Sequence, residues 1–179
     1  MRTSIISLTI GIGLLGVHCD ANAQSEPVRP GQFVVVSPGA GLLSYPGEWK
    51  FTKDQHGGGF SLVEIKVATA RDEWRGPRHL HTREDEAWYV IDGELAFEVG
   101  DKKATVGPGT FVYAPRDLPH RYRVTKAPAR YLLIFSPAGI EPLFAEVADL
   151  MKKYQEGSPE YRVELEKLQA KYGARTVHE

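Results

Sequence analysis

From residue 33 to residue 135 the chain alternates short runs of β-forming residues with glycine- and proline-bearing breaks. That rhythm constrains its fold more than any other feature. The runs cover residues 33–36, 49–52, 60–67, 86–91, 95–99, 104–106, 110–114, 120–124 and 130–135. Strands at this spacing predict a sandwich or a barrel. Asp92-Gly93 predicts a tight hairpin turn, because both residues tolerate positive φ and the flanking runs are apolar. Gly100-Asp101 predicts the next turn, and Gly57-Gly58-Gly59 and Gly107-Pro108-Gly109 predict loops.

The pattern changes after Pro137. Leu143, Val147, Leu150 and Tyr154 recur at helical steps between Pro142 and Gly157. Ser158 then offers an N-cap with Pro159 in the first helical position, and Tyr161, Leu165, Leu168 and Tyr172 form a second stripe ended by Gly173. Two amphipathic helices are expected, packed on the β region or on a partner subunit.

The first residues read as an export signal. Arg2 precedes an apolar run at 5–17 that is too short to span a bilayer, and Ala21-Asn22-Ala23 supplies small residues where a signal peptidase cuts. A stable membrane anchor is disfavoured by length. A lipoprotein signal on Cys19 is disfavoured by the bulky His18 before it. The expected divisions are a signal peptide at 1–23, a flexible segment at 24–32, a β-barrel at 33–136 and a helical tail at 137–179. A periplasmic or secreted location follows. Cleavage before Gln24 would remove the chain's one cysteine, leaving nitrogen and oxygen as the ligands for any metal.

With 179 residues, 42% of them hydrophobic, one globular domain with a real core is expected. The formal net charge of -1 and the absence of any Lys/Arg run give no footprint for nucleic acid.

Chemistry concentrates between Gly76 and His120. Alternate side chains of a strand share a face, so His79 and His81 can address one ion. Glu86 heads the next apolar run, where an unpaired charge would be costly, whereas Glu84 and Asp85 are expected to be solvated loop acids. Pro115-Arg116-Asp117-Leu118-Pro119 is a proline-bounded turn delivering His120 to the start of another strand. Three imidazoles and a carboxylate suit one divalent Fe, Mn, Ni, Co, Cu or Zn ion. His56 and His178 are expected in solvent.

These residues resemble the cupin motifs. Gly76, His79-Leu80-His81, Glu86 and Gly93 are similar to the first, with two residues rather than five between the opening glycine and His79. Gly109, Pro115, Asp117 and His120 are similar to the second, with Asp117 where glycine is usual and Val124 where asparagine is usual. The resemblance covers roughly residues 33–135. It implies an all-β fold, a small antiparallel jelly-roll barrel with the metal in its mouth, often assembled as a homodimer. The stretches DEAWYVIDGELAFEVGD, PRDLPHRY and PARYLLIFSPAGIEPLFAEV, with Lys171-Tyr172-Gly173 in the tail, are similar to bacterial quercetin 2,3-dioxygenase-like cupins.

That resemblance implies a metal-dependent dioxygenase in which His79, His81, Glu86 and His120 hold the ion. Glu86 would be both a weak ligand and the catalytic base. The expected partners are dioxygen and a flavonol-like or other enolisable aromatic substrate, and flavonol cleavage would release carbon monoxide. Trp88, Phe97 and Tyr122 are either cavity lining or barrel core. Two other readings stay open: a decarboxylase or isomerase of a small acid or sugar, with Arg78, Arg121 or Arg123 beside the metal, and a non-catalytic ligand-binding module.

Overall fold

The computed structural model describes residues 33–178. The expected signal segment (1–23) and lead-in (24–32) lie outside them. The elements in chain order are β1 (Leu42–Ser44), β2 (Gly47–Phe51), α1 (Lys53–His56), β3 (Ser61–Val67), β4 (His79–His81), β5 (Asp85–Val99), β6 (Lys102–Val106), β7 (Phe111–Ala114), β8 (His120–Ser136), α2 (Glu141–Lys153), α3 (Pro159–Tyr172) and β9 (Ala174–Thr176).

The architecture is an antiparallel β-barrel followed by helices, organised around β8. The second half of β8 pairs β3 on one side and the start of β5 on the other, and its first half pairs the end of β5 and, at His120, β4. β5 in turn carries β6 and β7. Burial alternates along β8, so Tyr122, Val124, Tyr131, Leu133 and Phe135 point inward. They meet Trp88, Val90, Leu95 and Phe97 of β5 and Val63 and Ile65 of β3. Trp88 touches Phe97 and Tyr122 edge-on, with centroids 5.1 and 5.5 Å away. Trp88, Phe97 and Tyr122 are therefore barrel core.

Three expectations need correction. Asp92-Gly93 is not a hairpin: β5 runs unbroken from Asp85 to Val99, and its pairing with β8 merely shifts register around Asp92 and Glu94. Gly93 keeps the positive φ that suggested a turn, at 82°, and spends it on an irregularity inside a long ribbon. Residues 33–36 form no strand, and Phe33 and Val35 are exposed; alternation without a pairing partner is not enough to make one. Glu84 is buried rather than solvated, as developed below.

The helices form where their caps place them. Ser158 Oγ accepts from Tyr161 N at 3.1 Å, and Gly173 closes α3 in the left-handed region at φ 79°. Leu143, Val147 and Leu150 of α2 and Tyr161 and Leu165 of α3 are buried, whereas Tyr154 falls past the end of α2 and is largely exposed. Phe144 lies 5.6 Å from the Trp49 ring and 5.5 Å from that of Phe135, so α2 packs on the barrel. No helix among the described residues is long and apolar enough to cross a membrane. β9 then returns alongside β4, pairing Thr176 with His79 and Ala174 with His81. The C-terminal tail thus braces the strand that carries two of the candidate ligands.

Candidate metal centre

The four side chains predicted as ligands converge. His79 and His81 stand on β4, Glu86 begins the buried part of β5, and His120 opens β8 directly opposite His79 in register. Their potential ligand atoms all lie within 4.8 Å of one another. The imidazole centroids are 4.7 to 5.6 Å apart. Glu86 Oε2 is 2.9 Å from His120 Nε2 and 3.0 Å from His81 Nε2.

The turn that delivers His120 explains the departure at Asp117. Asp117 is the non-glycine residue with positive φ (64°) among those described, and its N–H donates to His81 O at 2.7 Å. A glycine meets that conformation without penalty, and aspartate is among the few other residues that tolerate it. The link also ties the turn to the metal strand.

Backbone carbonyls orient two of the imidazoles. His79 Nδ1 lies 3.0 Å from Pro77 O and His120 Nδ1 lies 2.9 Å from Leu118 O. With Nδ1–H donating there, each Nε2 is turned toward the common centre, the usual arrangement behind a metal-bound histidine. His81 differs. Both its ring nitrogens are buried without a hydrogen bond, its 3.0 Å approach to Glu86 being off the hydrogen-bonding direction. Its Nδ1 faces Glu84 Oε2 across 4.0 Å, and that oxygen is likewise buried and unpartnered.

Burial and its neighbours His120 and His81 push His79 down to about 3, so it is held neutral, as a ligand must be. Burial alone would raise Glu86, but its contacts with His120 and His81 outweigh it and hold the carboxyl well below its usual range. Burial alone would lower His120; the Glu86 carboxylate outweighs it and raises this imidazole. Burial raises Glu84. Asp85 starts β5 and is paired rather than free: Arg116 Nε is 3.0 Å from Oδ1 and Nη2 is 3.2 Å from Oδ2, which holds Asp85 at about 2.

The residues fit a divalent ion. Three neutral-capable imidazoles and one ionised carboxylate form a nitrogen–oxygen set of the kind Fe, Mn, Co, Ni, Cu or Zn accepts, and His81 has ring nitrogens otherwise unsatisfied.

A cavity of about 1130 Å³ opens onto this centre between the barrel mouth and the helices. His79 and His81 are in its wall with Tyr45, Trp74, Phe144 and Tyr161, while Glu86 and His120 lie one layer deeper. Of the arginines expected near the metal, Arg78 and Arg121 reach the cavity and Arg123 does not. Arg78 donates to Gly100 O, Arg121 pairs with Glu98, and Arg123 lies over the Trp74 ring. Arg75, also in the wall, was missed in the sequence: nothing local distinguishes it from its neighbours. His178 is exposed, as expected, and His56 ends α1 rather than lying in a loop.

Known proteins share parts of this chain. Similarity to an uncharacterized protein, SCO3923, of Streptomyces coelicolor extends over 54 residues at 33% identity, which is 30% of this chain and 51% of that one. The chain thus spans about half the length of that curated relative. KdgF from Halomonas sp. is similar in structure at 24% identity and a TM-score of 0.45, over 54% of this chain and 86% of that one. Oxalate decarboxylase from Bacillus subtilis is similar at 26% identity and a TM-score of 0.40, over 45% of this chain and 22% of that one. Residues 67–135, the stretch that contributes all four candidate ligands, match the family described as Cupin domain.

Proposed function

We propose that the protein is an exported, metal-dependent enzyme that deprotonates an enolisable substrate and commits it to reaction with dioxygen. Ring opening of a flavonol-like aromatic hydroxy-ketone is the specific form. The observation that carries this reading is the ionised, buried Glu86 carboxylate lying within 3.0 Å of two candidate ligand nitrogens, behind a cavity large enough for a small organic molecule.

His79, His81, Glu86 and His120 would hold the ion, and when bound it supplies Lewis acidity that favours an enolate. The chain's own residues do the rest. Substrate enters between the helices and the barrel mouth, against the wall containing His79 and His81. Glu86 exchanges its His120 contact for the substrate hydroxyl and takes that proton on its carboxylate. Phe144, Tyr161 and Leu143 line the cavity with apolar surface that limits water there.

A second reading, decarboxylation or isomerisation of a small acid, is favoured by one observation: Arg71, Arg75, Arg78, Arg121 and Arg162 all reach the cavity wall. Loading the protein with single metals and following oxygen uptake with a flavonol separates the two. Metal-dependent uptake that Glu86→Gln abolishes supports the dioxygenase. Turnover of a small acid without oxygen consumption supports the second reading, and tight binding without turnover supports a non-catalytic module. Export predicts a mature N-terminus at Gln24 on Edman sequencing of the secreted product.

A further inference from the structure

The cavity contains a cation that the metal chemistry leaves unused. Arg75 is half-buried, and its backbone N–H donates to Tyr122 O at 2.9 Å, which fixes the residue above the barrel mouth. Its guanidinium reaches the Tyr45 hydroxyl and lies close enough to the Tyr122 and Tyr131 phenols to feel them electrostatically. Those two phenols are themselves joined, 3.1 Å apart. Burial raises all three tyrosines, most of all Tyr122, so they are neutral hydrogen-bonding groups that cannot balance a charge.

Four other arginines of the barrel have carboxylate partners, and Arg78, also in the cavity wall, donates to Gly100 O at 2.8 Å. Arg116 pairs with Asp85, Arg121 with Glu98, Arg123 with Asp72 and Arg130 with Glu64. Among the described residues no carboxylate lies within ion-pairing distance of Arg75, and the acids of the cavity wall, Glu73, Glu156 and Glu166, are exposed at its rim. A guanidinium keeps its proton at every pH a protein meets, and a partly desolvated charge without a counter-ion is costly. Such a group persists in a cavity when the cavity's occupant supplies the missing charge.

We propose that Arg75, with the Tyr45 hydroxyl beside it, anchors a carboxylate of the ligand, so that the substrate is an organic acid whose reacting end faces His79 and His81. The guanidinium fork matches the two oxygens of a carboxylate. One guanidinium among neutral phenols balances one negative charge, as a carboxylate supplies. The inference rests on the cavity being the small-molecule site proposed above, and it holds for oxidative and non-oxidative chemistry alike.

The test is calorimetric titration of the full folded protein, zinc-loaded and metal-stripped, with salicylate and pyruvate, each against its neutral amide, and with phenyl phosphate. Wild type is expected to bind the acids more tightly than the amides in both metal states. Arg75→Met should weaken acid binding about 30-fold or more while leaving amide binding in place, Arg75→Lys should restore part of it, and Tyr45→Phe should weaken it several-fold. Equal affinity for acid and amide, a preference that survives Arg75→Met, tighter binding of phenyl phosphate, or no binding of either acid would each overturn the proposal. A preference seen only with zinc and indifferent to Arg75 would put the carboxylate on the ion, ending this inference while the metal reading stands. Arg75-dependent acid binding in a protein that takes up no zinc would end the metal reading alone.

Discussion

Replacing Glu84 with methionine should move two measurements in opposite directions. The side chain is 4% exposed, and its Oε2 has no hydrogen-bond partner. Leaving a buried polar group unsatisfied costs about 1–3 kcal/mol. Methionine is similar in length and brings no polar atom, so the metal-free variant should be more stable by up to about 1–3 kcal/mol, or about 2–4 °C in melting temperature for each kcal/mol. Metal affinity should fall. Oε2 faces His81 Nδ1 at 4.0 Å, and His79 and His120 already have carbonyls behind them, so Glu84 is placed to orient His81. Loss of such an orienting contact costs about 10–100-fold in affinity. The sign with pH follows from burial, which raises Glu84. The folded chain then holds the proton more tightly than the unfolded chain, so Glu84 favours folding at low pH and loses that contribution as pH rises through its folded value. The stability gain from methionine should therefore be larger at neutral pH than at about pH 4. Denaturant unfolding of metal-free protein and chelator-competition titration read the two effects separately. Unchanged metal affinity would refute the orienting role, and a destabilised metal-free variant would show that Glu84 has a partner in the fold.

Three further outcomes are expected. Glu86→Gln leaves three imidazoles in place, so the variant should retain metal by elemental analysis while turnover drops about 10²–10⁴-fold; equal turnover would remove Glu86 as the base. Gly93→Ala should destabilise by about 2–4 kcal/mol in urea, because a Cβ there would meet Ala129 Cβ and Lys126 O at 2.6 Å with φ held at 82°; a loss below about 0.5 kcal/mol would show that the ribbon can yield. Asp85→Asn should cost about 1 kcal/mol at neutral pH after allowing for the solvent around the Arg116 pair. Because Asp85 is held at about 2, that contribution is present above its unfolded value and fades as pH falls through about 2, so the two proteins should converge in acid unfolding. Curves that remain parallel down to that pH would argue against the pairing.

Much of the centre could be read from the chain because its geometry is local. His79 and His81 share a strand face by the two-residue period, and the short link to Glu86 leaves the carboxylate little freedom to be elsewhere. The proline-bounded turn before His120 carries its own shape. Caps are local too: Ser158, Pro159 and Gly173 start and end α3 where their side chains and φ preferences dictate.

Other features depended on partners far away in sequence. Asp92-Gly93 has the local chemistry of a hairpin, but pairing of β5 with β8 along its length overrides it, because interstrand hydrogen bonds and core packing outweigh a two-residue preference. Glu84 looks like a loop acid until the tail returns: Thr82 N and Oγ1 both reach Gly173 O at 2.7 Å, tying that loop to the chain's end. Arg75 is one arginine among several until the fold decides which of them face a carboxylate.

The sequence by itself determined where the two C-terminal helices and most of the β runs fall and which residue types could share an ion, since backbone periodicity and caps act over a few residues. Tertiary structure alone decided which charges go unpartnered and where the cavity lies, since solvation and pairing are properties of neighbours in space.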